Sequence, residues 1–235
     1  MAKIKGAFNQ GETPTIAVFN KATVPLGVNL DALITALQEY VDLHVLPHWG
    51  TPAKLVHTAD FVKGCWALVF LDDADVAGAL AYHDLTPDRL PLSKVFVKTI
   101  AKYGESISAT ASHELVEMLV DPAINMMTTG PGRYVYAYEA ADPVESLSFE
   151  VDGMPMSDFV YPSYFEVFRK AGSVKFDEMG VITKPFQLLK GGYQSVYDGR
   201  RWTNIFGSKA KEKAFAKEDR RGHRSEVRVK RSKGK

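Results

Sequence analysis

Cysteine is all but missing from this chain: Cys65 stands alone among 235 residues. A disulfide framework is therefore excluded. Its setting, Lys-Gly-Cys-Trp-Ala-Leu-Val-Phe, lies just before an apolar run, so a small buried thiol is expected. Long apolar stretches are missing too, and none approaches the ~18 residues of a membrane span. The first residues, Met-Ala-Lys-Ile-Lys-Gly-Ala-Phe, carry charge without the apolar core of an export signal. The expectation is a non-secreted protein without membrane contact, cytoplasmic or within a virion. Internal repeats are absent. What remains, 46% hydrophobic and 24% charged, is ordinary globular composition, enough for one large domain or two small ones.

The formal net charge of +1 hides an uneven distribution. Residues 209–235 are dense in Lys and Arg and poor in apolar side chains, which leaves the body of the chain acidic. Such a segment reads as a solvated, flexible arm that can also hold phosphate backbones or an acidic protein surface. Arg220, Arg221, Arg224, Arg228, Lys230 and Arg231 are the candidate contacts with nucleic acid or a partner protein. Phe215 is the one aromatic residue among these charges that can stack on a base.

Hydrophobic spacing sets out the layout. Thr15–Asn20 reads as a first strand. Asn29 caps a helix in which Leu30, Leu33, Ile34, Leu37, Tyr40 and Val41 recur at helical spacing, ending near Pro47. Residues 54–58 and Trp66–Leu71 read as two strands, the second apolar enough to be central in a sheet. Residues 79–83 and 94–100 are further strand candidates across a Pro-containing connection, and a helix is expected over 106–119. Downstream, the Asp152-Gly153 and Asp198-Gly199 pairs predict two hairpins.

That last helix carries the chemistry. Residues 112–122 read Ser-His-Glu-Leu-Val-Glu-Met-Leu-Val-Asp-Pro, with His113, Glu117 and Asp121 one turn apart on a single face and Glu114 beside them. The spacing is that of the H-E-x-x-H zinc motif with the second His replaced by Glu. A carboxylate oxygen ligates zinc about as closely as an imidazole nitrogen does, at ~2.0–2.2 Å, so His113 and Glu117 supply two ligands. Glu114 is then the general base toward the attacking water. A third ligand comes from Tyr-Ala-Tyr-Glu-Ala-Ala-Asp-Pro-Val-Glu, where acids lie among apolar residues and demand a partner. Asp142 is the first choice and Glu139 the second; Glu145 belongs to the same cluster. Tyr134, Tyr136, Tyr138 and Tyr164 are candidate oxyanion donors. Asp121 is either a ligand or an acceptor that orients one.

A plainer reading makes His113, Glu114 and Glu117 the exposed face of an amphipathic helix, with Leu115, Met118 and Leu119 as its core stripe. His44, His48, His57 and His83 likewise read as core or surface histidines. Among them His83 closes a candidate edge strand on which an extended substrate can pair.

On these residues the chain resembles a diverged zincin of the H-E-L-x-E type followed by a Pro-terminated helix and a later E-x-x-D, as in Exordium-like proteins and secreted bacterial and fungal relatives. The matching residues are His113, Glu114, Leu115 and Glu117, then Glu139 and Asp142, and residues 158–165 resemble the segment after the acidic motif. Residues 60–165 carry the likeness. It implies an α+β fold: a zincin-like upper domain over 1–125, a twisted mixed sheet with the active-site helix. A smaller hairpin-rich lower part follows over 126–207, then a basic tail over 208–235. The implied activity is zinc-dependent hydrolysis of a peptide or protein substrate, with another divalent metal as the variant expectation. Two departures stand out. The relatives have Cys shortly after the Asp and an export signal, whereas this chain has Pro143 and no such signal. That combination with a basic tail suits a bacteriophage-encoded virion component, so a catalytically silent scaffold that contacts virion proteins or nucleic acid is the competing expectation.

Overall fold

The computed structural model describes residues 13–75 and 79–218. The six tail residues named above as contacts lie outside the described residues.

Alternating apolar side chains build the first layer. β1 (Thr15–Asn20), β2 (Lys54–His57), β3 (Trp66–Leu71), β4 (Ala81–Leu85) and β5 (Pro91–Phe96) form one sheet in the order β2-β1-β3-β5-β4. The first four in that order run parallel, and β4 pairs antiparallel with β5 at the edge. β3 is central, as its unbroken apolar run requires. Ile16, Val18, Leu68, Phe70 and Val95 face one side and join the main core. Ala17, Phe19, Ala67 and Val69 face the other with Cys65, which is only partly buried rather than enclosed.

Helices cover the main-core side. α1 (Leu30–Glu39) starts where the Asn29 side chain accepts from the Ala32 N–H at 3.0 Å. The helical run continues past Pro47. A π-helical turn (Tyr40–Val45), closed by the Leu46 N–H on the Val41 carbonyl, widens the helix ahead of α2 (Leu46–Trp49). Proline thus enters a first turn, where its missing N–H costs nothing, and Gly50 at φ 68° ends the run.

The strand expected over 94–100 is corrected. Its pairing with β4 ends at Val95 and with β3 at Phe96, and the chain turns into α3 (Val97–Tyr103), stopped by Gly104. With no partner strand for the β-branched residues to continue against, tertiary context overrides their preference. α4 (Ile107–Val120) follows, with the Ser106 hydroxyl accepting from the Ala109 N–H.

The remainder is strand-rich. β6 (Met127–Thr129), β7 (Val135–Ala137), β10 (Tyr193–Tyr197) and β11 (Trp202–Phe206) make an antiparallel sheet in the order β11-β10-β7-β6. β8 (Ser148–Val151) and β9 (Met154–Ser157) form a hairpin, with Asp152 and Gly153 at φ 49° and 72° as a two-residue primed turn requires. The first residues of the basic segment are helical: α5 (Lys209–Glu218) docks through Lys211 Nζ, 2.5 Å from Glu145 Oε2. Local helix, rather than irregular chain, thus describes residues 209–218. The fold is mixed α+β, and no helix among the described residues is long and apolar enough to cross a membrane.

The lower part is tied to the helical run by the Tyr40 hydroxyl, which donates to the Ser157 carbonyl at 3.0 Å, and by the Trp49 indole, which donates to the Val160 carbonyl at 3.1 Å. Beside these ties two fully buried acids meet. Burial and the neighbouring Asp177 push the Asp158 carboxyl up to about 8, so Asp158 keeps its proton at neutral pH. Folded chains keep that proton between about pH 4 and 8, where unfolded ones release it, so the pair's contribution to stability falls as pH rises through that window. Urea midpoints of the wild type are expected to drop from pH 5 to pH 9, and those of Asp158→Asn to drop less. Parallel pH profiles would refute the raised Asp158 pKa.

Candidate metal centre

α4 is not a solvated amphipathic face. It is enclosed on nearly every side, and Glu114 and Glu117 are only 7% and 4% exposed. Serines allow this close packing. Ser93 of β5 donates to the Glu114 carbonyl at 3.3 Å, Ser108 donates to the Pro155 carbonyl at 2.6 Å, and Ser112 accepts from the Ser157 N–H at 2.8 Å. β5 holds α4 from one side and β9 from the other. The motif carboxylates are thereby carried into the interior, where an ionised group is costly without a compensating cation.

Two overlapping groups of donors surround them. In the first, His113 Nε2 lies 3.6 Å from Glu117 Oε1 and 3.3 Å from Asp142 Oδ1. In the second, His83 Nδ1 lies 3.4 Å from Glu114 Oε2 and 3.6 Å from Glu117 Oε2. Within each triad the donor atoms all fall within 4.8 Å of one another. The Ala141 N–H donates to Glu117 Oε1 at 3.3 Å, which ties this carboxylate to the segment that brings Asp142.

The donor chemistry fits a divalent cation. Two ligand atoms at ~2.0–2.2 Å from one tetrahedral ion stand about 3.3–3.6 Å apart, the range of all four separations. Charge-assisted hydrogen bonds are shorter, at ~2.7–2.9 Å. Mixed imidazole and carboxylate sets suit zinc and its first-row neighbours.

Sequence expectations sort clearly against this geometry. His113, Glu117 and Asp142 come together. Glu139 is buried but belongs to neither triad, and Glu145 is engaged by Lys211. Asp121 closes the turn after α4, its two oxygens accepting from Asn125 and Met126 N–H at 2.9 and 3.0 Å. These two bonds make it a cap for that turn. Tyr136 donates to the Pro131 carbonyl at 3.2 Å and Tyr164 to the Gln187 carbonyl at 3.1 Å, so neither hydroxyl is free for an oxyanion. Tyr138 stacks on Phe165, and Tyr134 packs edge-on against Tyr136.

His83 is the residue that spacing alone misses. It sits inward on β4 between its partly exposed neighbours Tyr82 and Asp84, and only sheet order brings it over α4. Its position on an edge strand is the one sequence signal that singles it out. Of the other histidines, His44 pairs with Glu178 and His57 with Asp31. Burial lowers the His48 pKa despite the nearby Glu178 charge, and its ring stacks on Tyr161.

No protein-family model matches the chain, and neither does any curated protein or solved structure.

Asp142 is placed by a short 3-10 turn (Asp142–Val144) seated on Gly192, just before β10. A Cβ at Gly192 would lie 2.2 Å from the Pro143 carbonyl oxygen and 2.7 Å from that of Asp142. Backbone would have to move. Gly192→Ala is expected to cost about 1–3 kcal/mol in urea unfolding, whereas an unchanged midpoint would show that this turn is not held by that contact.

Proposed function

We propose that this chain is a zinc-dependent hydrolase of peptide bonds, with the ion held by His113, Glu117 and Asp142. The observation that carries the reading is the convergence of these three donors at ligand-to-ligand separations, with 14% of the His113 side chain open to solvent. That partial opening gives water and substrate an approach which a fully enclosed set would deny. Bound zinc would polarise the scissile carbonyl and make water a stronger acid. Glu114, next to His113 on α4, would take the proton from the attacking water and hand it to the departing amine. Asp121 keeps the end of α4 fixed, and the serine straps hold the carboxylates in place.

The sheet supports the same reading. A mixed five-stranded sheet with the motif helix packed against it suits the zincin-like layout, and β4 has a neighbour on one side alone among the described residues. An extended peptide would add to that edge by main-chain hydrogen bonding, beside the strand that carries His83.

A second reading, a virion component that keeps the metal for stability, is favoured by how little of the site is exposed: the Glu117 and Asp142 side chains are 5% and 4% accessible. In that role the docked α5 and the basic residues after it would face a partner protein or nucleic acid.

Elemental analysis of protein purified without added metal is expected to find zinc that His113→Ala loses. Glu114→Gln is expected to lower peptide hydrolysis by roughly 10²–10⁴-fold while near-ultraviolet circular dichroism stays native. Bound zinc with turnover indifferent to Glu114→Gln would favour the structural component, and folded protein without metal would refute both readings.

A further inference from the structure

Glu117 is shared by the two triads in a particular way. Its Oε1 faces His113 at 3.6 Å, and its Oε2 faces His83 at 3.6 Å. One carboxylate thus turns an oxygen toward each of two donor groups. Each group is completed by a histidine nitrogen and a second carboxylate: Asp142 Oδ1 at 3.3 Å from His113, and Glu114 Oε2 at 3.4 Å from His83.

The His83 contacts make poor hydrogen bonds. Nδ1 has at most one proton to give, and two carboxylate oxygens face it at 3.4 and 3.6 Å. The same molecule shows what histidine–carboxylate pairing looks like when it is made: His44 Nδ1 meets Glu178 at 2.8 Å and His57 Nδ1 meets Asp31 at 2.6 Å. At Nδ1, His83 stands outside those distances although its side chain is 2% exposed. A deprotonated Nδ1 and two oxygens around a cation account for both separations at once.

We propose that the centre is dinuclear, with a second divalent transition-metal ion held by His83, Glu114 and Glu117, and with Glu117 bridging it to the ion at His113. This rests on the hydrolase site described above and extends it. A carboxylate that gives one oxygen to each ion suits the ~3.5–4 Å spacing of two-metal hydrolytic centres. Glu114 gives Oε2 to the second ion and keeps Oε1 to accept a proton, so its role as base is preserved. His83 fixes this ion from the edge strand. The triad it completes is more enclosed than that of His113, whose side chain is 14% exposed against 2% for His83.

The test is metal stoichiometry on the full chain, reconstituted with zinc and dialysed, for wild type, His83→Ala and the closer-sized His83→Gln. Two ions in the wild type falling to one in a folded His83 variant is the expected result. Manganese(II)-loaded wild type should show an exchange-coupled paramagnetic resonance spectrum, replaced by that of an isolated ion in the same variant. One zinc per wild-type chain, unchanged in both variants and lost in His113→Ala, would overturn the second ion while leaving the single-ion hydrolase intact. Two ions retained by both His83 variants would also overturn it, since the second would then lie elsewhere. No zinc in folded wild type would remove both assignments.

Discussion

Carrying the carboxylates of Glu114 and Glu117 into the interior is the constraint around which this molecule is arranged. Left alone, each would be expensive to bury, and α4 could not pack with both of them ionised. Compensation is assembled from three separate stretches of chain: His113 from α4 itself, His83 from the edge strand β4, and the Ala141 N–H from the segment leading into the Asp142 turn. Asp142 brings a further carboxylate to the same place, 3.3 Å from His113. The serine straps to β5 and β9, the glycine under the Asp142 turn and the Asp121 cap then serve one purpose. They fix the backbone so closely that the charged groups have few other arrangements open to them.

Buried Asp158 and Asp177 and partly buried Glu178 are treated differently. Burial and the neighbouring Asp177 raise the Asp158 pKa, and both carboxyl groups accept backbone N–H groups, Asp158 from Phe159 and Met179, Asp177 from Val181 and Ile182. For Glu178, burial pushes the pKa up, but hydrogen bonds from Tyr161 and His44 and the charge of Lys175 outweigh it, and the net shift is downward. Those are the two usual ways to carry a carboxyl group inside a protein: keep it protonated, or surround it with donors at close range. Around Glu117 the histidine nitrogens converge on pairs of oxygens at longer separations, a pattern that suits a cation between them.

Much of the architecture was legible wherever local chemistry decided the outcome. β1 and β3 declare themselves by apolar runs with β-branched residues, Asn29 and Ser106 by their capping, and the Asp-Gly hairpin between β8 and β9 by the positive φ it demands. Legibility ended where a partner elsewhere in the chain decided. Residues 97–100 look like strand and become helix because both neighbouring strands have run out. Pro47 looks like a helix stop and is absorbed by the widened turn before it. Helical spacing placed His113, Glu114 and Glu117 on one helix, and the acidic segment offered Asp142 as their partner. Neither carried any trace of His83, because its approach to α4 is set by the order of strands in the sheet, a property no window of sequence contains. The same holds for Lys211, which reads as one charge of a solvated run until Glu145 is found beside it.

The position of His83 links two features that are otherwise separate. β4 is an edge strand with β5 as its neighbour in the sheet among the described residues, and its inward residue is the one that reaches the motif carboxylates. Strand residues alternate faces with a period of two, so an inward His83 requires that Tyr82 and Asp84 face away from α4. Tyr82 does so, giving its hydroxyl to Asp75, with Lys94 of β5 bonded to the same pair at 2.7 and 2.8 Å. The register of the edge strand is therefore pinned on its outer face by this Tyr-Asp-Lys group and on its inner face by His83. A slip of one residue would turn every side chain over, breaking both sets of contacts together. An edge strand held at both faces can pair with an incoming chain without losing its own alignment. The residue that secures its inner face is the one that completes the second donor group, so the register of the strand and the make-up of that group depend on the same side chain.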